Sequence, residues 1–418
     1  MRKRASQETP RVEDGRRARI SVESERVAAL EAQQEKRAQS SNRRRVAALA
    51  AIAAVILFIT FILPEGMLGG ISGIDSFTVF SERVVDNVGR LVAVLANTNT
   101  GGNYALVVCR YTAAFLMGAA LGSCGAVYQG SFRNPLASPS TLGVVAGCLL
   151  GAVLYYLFMY DGWIEASLAS ATTTLNLLSG LNPLEYVWVV YGRAICAVLG
   201  GFAVVGTALL IARAMGGAAV TGVVLVVVGQ VLMMVADSSV DLVRYYLETS
   251  GDIMRATLVQ LAEVAPFSTI VTFLDLALVG IPIVIGLVVL LLLRNRMNVL
   301  TFSDAEARSL GVDIGRFRTG VVLLCTAITG VAVGFCGPVG MVGFVAPHVA
   351  RRIVSPDFRY MLPASLLIGA IFLVIAEALT MQTEIGADQG VNLITTVLGC
   401  IVFLVVAFKS RGGTNAWR

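Results

Sequence analysis

Hydrophobic positions in this chain come in long runs separated by short polar stretches. A helix crosses about 30 Å of hydrocarbon with roughly 20 apolar residues. Runs of about that length recur at 46–63, 105–128, 141–160, 186–212, 218–236, 267–293, 317–337, 360–381 and 391–408, with a shorter one at 340–352. The pattern predicts an all-α polytopic membrane protein with about ten transmembrane helices. Residues 1–45 break it: they hold 13 Lys/Arg and 7 Asp/Glu and have no apolar face wide enough for a core. They read as a basic cytosolic tail, disordered or a loose helix over about 20–38. The tail is either solvated or in contact with anionic lipid headgroups. It is too long and too acidic for a signal-peptide n-region, and no small-residue cleavage site follows 46–63, so that run is expected to be a retained span.

Composition agrees with the pattern. The 418 residues are 56% apolar and 14% charged, with mean hydropathy +0.78. Charge placement then gives an orientation. With the N-terminus inside, the tail and the loops on its side hold 13 basic residues each, 26 in all, against four (Arg83, Arg90, Arg244 and Arg255) opposite, with Arg110 and Arg193 near span ends left out. By the positive-inside rule this puts both termini, including the 409–418 tail, in the cytosol of a plasma-membrane protein. The opposite loops carry fourteen acidic residues. Two of those loops are long, about 64–104 and 237–266, and 252–264 is a candidate interfacial helix.

Several chemistries drop out. The seven Cys form no CxxC pair and read as small core residues. His348 is the single His, so no multi-His metal site exists. None of the three Lys follows a Gly, so there is no phosphate-binding loop; the chain has no ATPase site and needs no cofactor of its own. Polar residues within the spans are few: Gln129, Gln230, Asp275 and Glu377. They form no ladder suited to a proton-coupled carrier, and no nucleophile–base pair suited to a membrane enzyme. GxxxG pairs at Gly118–Gly122, Gly147–Gly151 and Gly330–Gly334 signal close helix packing.

Three stretches stand out. Leu293–Arg318 is a charged island with five Arg, two Asp and one Glu. Ser303 is a candidate N-cap with Glu306 completing a capping box, Gly311 is a C′ stop, and Asp313 can cap the next helix. In Gly118–Gly151, Pro135 and Pro139 forbid helix continuation between two Gly-rich helices. Gly337–Arg352 is too short and broken for an ordinary span. Such backbone at membrane depth is tolerated only inside protein or beside a water-filled path, which points to a translocation pathway.

Together these stretches resemble the permease family of ATP-driven bacterial importers for iron–siderophore complexes, haem and cobalamin, the FecCD type. The first family motif is matched by Gly125, Gln129, Asn134, Pro135, Leu136, Ala137, Pro139, Leu142, Gly143 and Gly147. The coupling motif is matched by Ala307, Leu310, Gly311 and Val312. The third is matched by Gly337, Val339, Gly343, Phe344, Pro347, His348 and Arg351, with Met341 where Phe is usual. The resemblance covers about 46–408. It implies an ABC importer type II permease fold, paired with a second permease subunit as a homo- or heterodimer. Two cytosolic ATPase subunits carrying ATP-Mg and an extracytoplasmic solute-binding protein are the other expected partners. The cargo class is an iron–siderophore or similar metal chelate, and no nucleic acid is involved. Ser303, Glu306, Ala307, Arg308, Leu310, Gly311 and Val312 would form the ATPase-coupling elbow within 294–318. Gln129, Asn134, Pro135, Pro139, Gly343, Pro347 and His348 would lie on the translocation path or gate, with His348 in a structural role. The outer surface departs from the family. Of its R-x-P-R only Arg110 remains, and its D-x-x-A-R is here Glu377 followed by Met381. Arg110 and Glu377 are the remaining candidates for docking the binding protein. A secondary transporter, or a non-transporting sensor on the same scaffold, is the alternative.

Overall fold

The computed structural model describes residues 35–56, 102–158, 183–214, 222–252, 255–256, 259–260, 273–301, 314–382 and 390–410, and the account below concerns these. Contacts divide the chain into two units, Met1–Ala48 and Leu49–Arg418. The described residues are helical with turns and contain no strand. After helical residues 35–56 (α1) come α2 (Gly102–Ser131), α3 (Val144–Phe158), α4 (Pro183–Ala214), α5 (Gly222–Ser250) and α6 (Phe273–Met297). They are followed by α7 (Ile314–Cys336), α8 (Val342–Ile353), α9 (Phe358–Gln382) and α10 (Gly390–Ser410). A 3₁₀ turn, Asn298–Thr301, follows α6 directly. Six helices are long and apolar enough to cross a membrane, and α3 and part of α10 are shorter apolar helices.

The helix α2 is the hub of the second unit. It packs on α6, α7, α8 and α9, while α3 joins α4, α5 and α7. In its most apolar window 78% is buried, against 22% in α5. Small residues explain the difference. On the α2–α9 seam, a Cβ on Gly118 would overlap the Gly369 carbonyl, and one on Gly122 the Ser365 carbonyl, so the two backbones touch where any side chain would separate them. The outward faces of α4, α5, α6 and α10 present Leu199, Val231, Met234, Ile285, Leu292 and Ile401, all exposed, as helices facing lipid or a partner subunit do.

One boundary differs from the sequence expectation. The fifth span was expected to end at 236, yet α5 continues to Ser250. No Gly or Pro interrupts 237–250, and Asp241 and Arg244, one turn apart, form an ion pair at 2.7 Å. The helix stops only where Gly251 takes a left-handed φ of 79°. At 29 residues α5 is about 43 Å long, more than the hydrocarbon requires. Beyond it, residues 255–256 and 259–260 are helical, and Asp252 Oδ1 accepts the Arg255 N–H at 3.1 Å.

Candidate functional site

Two polar centres lie on α2, and the 19-position offset from Arg110 to Gln129 sets them about 28 Å apart. At the Gln129 end, α2 stops in a Schellman-type closure. Asn134 N–H reaches Gln129 O at 3.1 Å and Arg133 N–H reaches Gly130 O at 3.2 Å. Arg133 supplies the left-handed residue, φ 47°. Pro135 cannot extend the helix, and Asn134 Oδ1 instead accepts the Leu136 N–H at 2.9 Å. Ser138 and Thr141 then bond each other's backbone N–H, at 2.8 and 3.1 Å. Thr141 Oγ1 also donates to Leu136 O at 3.0 Å. The loop is therefore a set of interlocked turns, and buried Pro139 packs on Gly343 at the start of α8.

The helix α8 is built around its proline. Pro347 has no N–H, so the Gly343 carbonyl loses its helical donor. That carbonyl is pressed against Gly125 of α2, where a Cβ would overlap it. Met341 at the N-cap is left-handed, φ 64°, and Asn392 Oδ1 of α10 holds the Gly340 N–H at 3.2 Å. His348 Nδ1 lies 2.8 Å from Phe344 O. A carbonyl only accepts, so Nδ1 carries the proton. Gln129 Nε2 lies 3.4 Å from that carbonyl and 3.3 Å from Nδ1. Both nitrogens bear hydrogen, so the carbonyl is the acceptor for each. Among the described residues, Gln129 Oε1 is buried without a hydrogen-bond partner. Phe403 of α10 closes the group, 5.1 Å from the Phe344 ring and 6.3 Å from the His348 ring. The structure thus brings Gln129, Asn134, Pro135, Pro139, Gly343, Pro347 and His348 together.

At the Arg110 end, Arg110 Nε donates to Glu377 Oε1 at 3.0 Å. Arg193 of α4 donates to Phe335 O at 3.1 Å and to Tyr156 Oη at 3.2 Å. Asp275 opens α6, whose direction places it at the same end. Arg110, Arg193, Asp275 and Glu377 are all buried, two basic and two acidic side chains. Arg110 and Glu377 turn inward and bind each other. The Glu377 side chain is 0% exposed and that of Arg110 10%.

The expected coupling residues Ser303, Glu306, Ala307, Arg308, Leu310, Gly311 and Val312 lie outside the described residues. Their flank does not, and it contains a residue with no motif to announce it. Asn298, first in the 3₁₀ turn, uses both ends of its amide on the N-terminus of α9. Its Nδ2 donates to Asp357 Oδ1 at 2.8 Å and its Oδ1 accepts the Phe358 N–H at 2.9 Å. Asp357 caps α9 through the Arg359 N–H at 2.8 Å. The Phe358 ring lies on Gly130, in the last turn of α2. A run of contacts therefore leads from the 298–301 turn through α9 to Gln129. Asp357 after Pro356 was the only sequence signal for it, as a helix start.

Among the described residues no group of three or more His, Cys, Asp and Glu can hold a metal ion. The seven Cys are free thiols.

A short proline-containing helix is thus wedged between the hub helix of a helical membrane scaffold and the loop that follows that hub. Residues 87–409 match the FecCD transport family, and the chain belongs to that family. It is 31% identical over 288 residues to the cobalamin import permease BtuC of Halobacterium salinarum, covering 69% of this chain and 68% of that one. It is 29% identical to the Fe(3+)-citrate import permease YfmD of Bacillus subtilis, over 71% of this chain and 78% of that one. The molybdate import permease MolB of Haemophilus influenzae is 24% identical, over 73% and 81% of the two chains. A solved metal-chelate type ABC transporter in an inward-facing conformation has the same fold. Its TM-score is 0.63 at 20% identity, covering 88% of this chain and all of that one. The chain is a multi-pass transport subunit of the ABC permease kind, a kind that works with ATPase and binding-protein components. The named cargoes of its relatives differ, so the family defines the scaffold more sharply than the solute.

Proposed function

We propose that this chain is the membrane permease of an ATP-driven importer for a metal chelate of the iron–siderophore kind, working by alternating access. Both termini face the cytosol in this reading, and the charge asymmetry of the loops supports it. The observation that carries the coupling is the Asn298 clamp. The turn beside the 302–313 elbow is fastened to α9, and α9 rests on the end of α2 that holds Gln129 and His348. An ATPase subunit that seats the elbow, Ser303 to Val312, then moves the Gln129 end of α2 through hydrogen bonds and packed rings. ATP-Mg is held by the ATPase subunits, since this sequence has no phosphate loop. Substrate contacts along the path come from small and apolar residues and from the Oε1 of Gln129.

The test is reconstitution of this permease in liposomes with its ATPase and binding protein, following uptake of a radiolabelled ferric chelate alongside ATP hydrolysis. Uptake should require ATP and the binding protein, and Gly311→Pro should abolish it while the subunits still assemble. Uptake that persists without the ATPase and collapses with the proton gradient would overturn the proposal in favour of a secondary carrier. Uptake of cobalamin or molybdate alone would keep the importer and replace its cargo.

A further inference from the structure

We infer that the helical segment 35–45 is a docking face for anionic phospholipid headgroups. The inference does not depend on what the protein transports; it requires only that the uncharged run beginning at Val46 enters the membrane. Lys36, Arg37, Arg43, Arg44 and Arg45 are all exposed on one continuous helical stretch. Within 35–56 the single acidic residue is Glu35, and its carboxylate already accepts Gln39 Nε2 at 3.1 Å. Lys36, Arg37, Arg43 and Arg44 fall within about a third of the helix circumference at 3.6 residues per turn. Arg45 abuts the apolar run, and from Val46 to Leu63 no charged residue occurs.

The placement decides the partner. A helix that passes from five cations into an uncharged run puts its last cation at the hydrocarbon boundary, with the aliphatic stems buried and the charged heads at headgroup level. Lys36 lies about 14 Å along the axis from Arg45. Screening at physiological ionic strength acts over about 8 Å, so the three arginines nearest the apolar run feel an anionic surface most strongly. Clusters of this size beside a span are the ones that anionic leaflets attract. The segment also lies outside residues 87–409, the part that matches the family. The ligand it fits is the phosphate of a phosphatidylglycerol-type lipid.

The experiment places the full-length chain in nanodiscs of phosphatidylcholine alone or with about one third phosphatidylglycerol. Amide hydrogen exchange is followed over residues 36–46. Exchange should slow at least fivefold in the phosphatidylglycerol discs, and the difference should vanish in 0.5 M salt. Replacing Arg43, Arg44 and Arg45 with Gln should remove it while exchange in α2 and α9 is unchanged. The wild-type comparison of the two lipids stands alone if the triple variant fails to insert. Equal exchange in both lipids would overturn the inference. So would protection that appears only when the ATPase subunits are added, which would assign the face to an acidic protein surface.

Discussion

The two ends of α2 are closed by different physics. At one end Arg110 and Glu377 form a buried ion pair at 3.0 Å, and Arg193 and Asp275 are buried at the same end. At the other, the contacts of Gln129 are neutral: an imidazole and a main-chain carbonyl at 3.3 and 3.4 Å. Opening a buried ion pair strands charge in a medium that solvates it poorly. Breaking a neutral hydrogen bond costs about 0.5–1.5 kcal/mol net. One helix is thus anchored at the Arg110 end and cheaply adjustable at the Gln129 end. The adjustable end is the one that the Asn298 clamp reaches, so a push on the elbow arrives where the structure resists it least.

The largest effect should come from the anchored end. Glu377→Leu leaves the Arg110 guanidinium buried without its carboxylate, at a cost of about 3–5 kcal/mol. This should show as a large drop in thermal unfolding temperature in detergent. The double change Arg110→Leu with Glu377→Leu should recover most of the loss, since an apolar pair of similar volume is often no less stable than a buried ion pair. A single variant as stable as wild type would remove the anchor from the comparison. A stable double variant that no longer bound its solute-binding protein would instead return these residues to docking.

Steric closure at the adjustable end gives the next effect. Gly125→Val drives a side chain into the Gly343 carbonyl, and overpacking of this kind costs about 1–3 kcal/mol. Gly320→Ala in α7 is the control, because a Cβ there meets nothing within 4 Å. It should be neutral or slightly stabilising through helix propensity. Equal losses in the two would mean that the α2–α8 contact is looser than its geometry.

Most of the fold was legible because its determinants are local. Among the described residues the apolar runs are helical, and Pro135, Pro139 and Gly337 marked the breaks. What was not legible depends on pairing across distance. Asp275 read only as one of a few polar residues within the spans, Arg110 and Glu377 as candidates for docking a binding protein, and no motif singled out Arg193. Only the packing of α2 on α9, set by Gly118, Gly122 and Gly369, brings Arg110 to a residue 267 positions away. The length of α5 was missed for a related reason. Hydropathy falls after Ala236, but helix formation follows backbone hydrogen bonding and an Asp241–Arg244 pair, neither of which hydropathy counts. Asn298 was invisible because an amide at the end of an apolar run resembles any polar boundary residue until Asp357 and Phe358 are placed beside it.

That clamp supplies the third test. Asn298→Ala removes two hydrogen bonds, one of them to a carboxylate, and leaves the Phe358 N–H without its acceptor. The cost to stability is about 1–3 kcal/mol, so a folded variant is expected. Its signature lies in coupling: ATP hydrolysis by the assembled transporter should continue while solute moved per ATP falls severalfold. If both fall together, the clamp serves assembly and not transmission.

The smallest stability change, and the sharpest functional one, belongs to Gln129→Met. The substitution deletes a long hydrogen bond to Phe344 O, worth about 1 kcal/mol. It also deletes a buried acceptor that has no partner among the described residues, whose desolvation costs about 1–3 kcal/mol. The two nearly cancel, so unfolding temperature should stay level or rise slightly. A residue kept only for packing would then be replaceable without consequence. If Oε1 is held out for the solute, uptake should fall at least tenfold in a protein no less stable than wild type, with ATPase coupling at the elbow untouched. A variant that transports normally would take Gln129 off the path. One that loses more than about 2 kcal/mol would show that Oε1 has a structural partner, and would make the Gln129 end as firmly closed as the other.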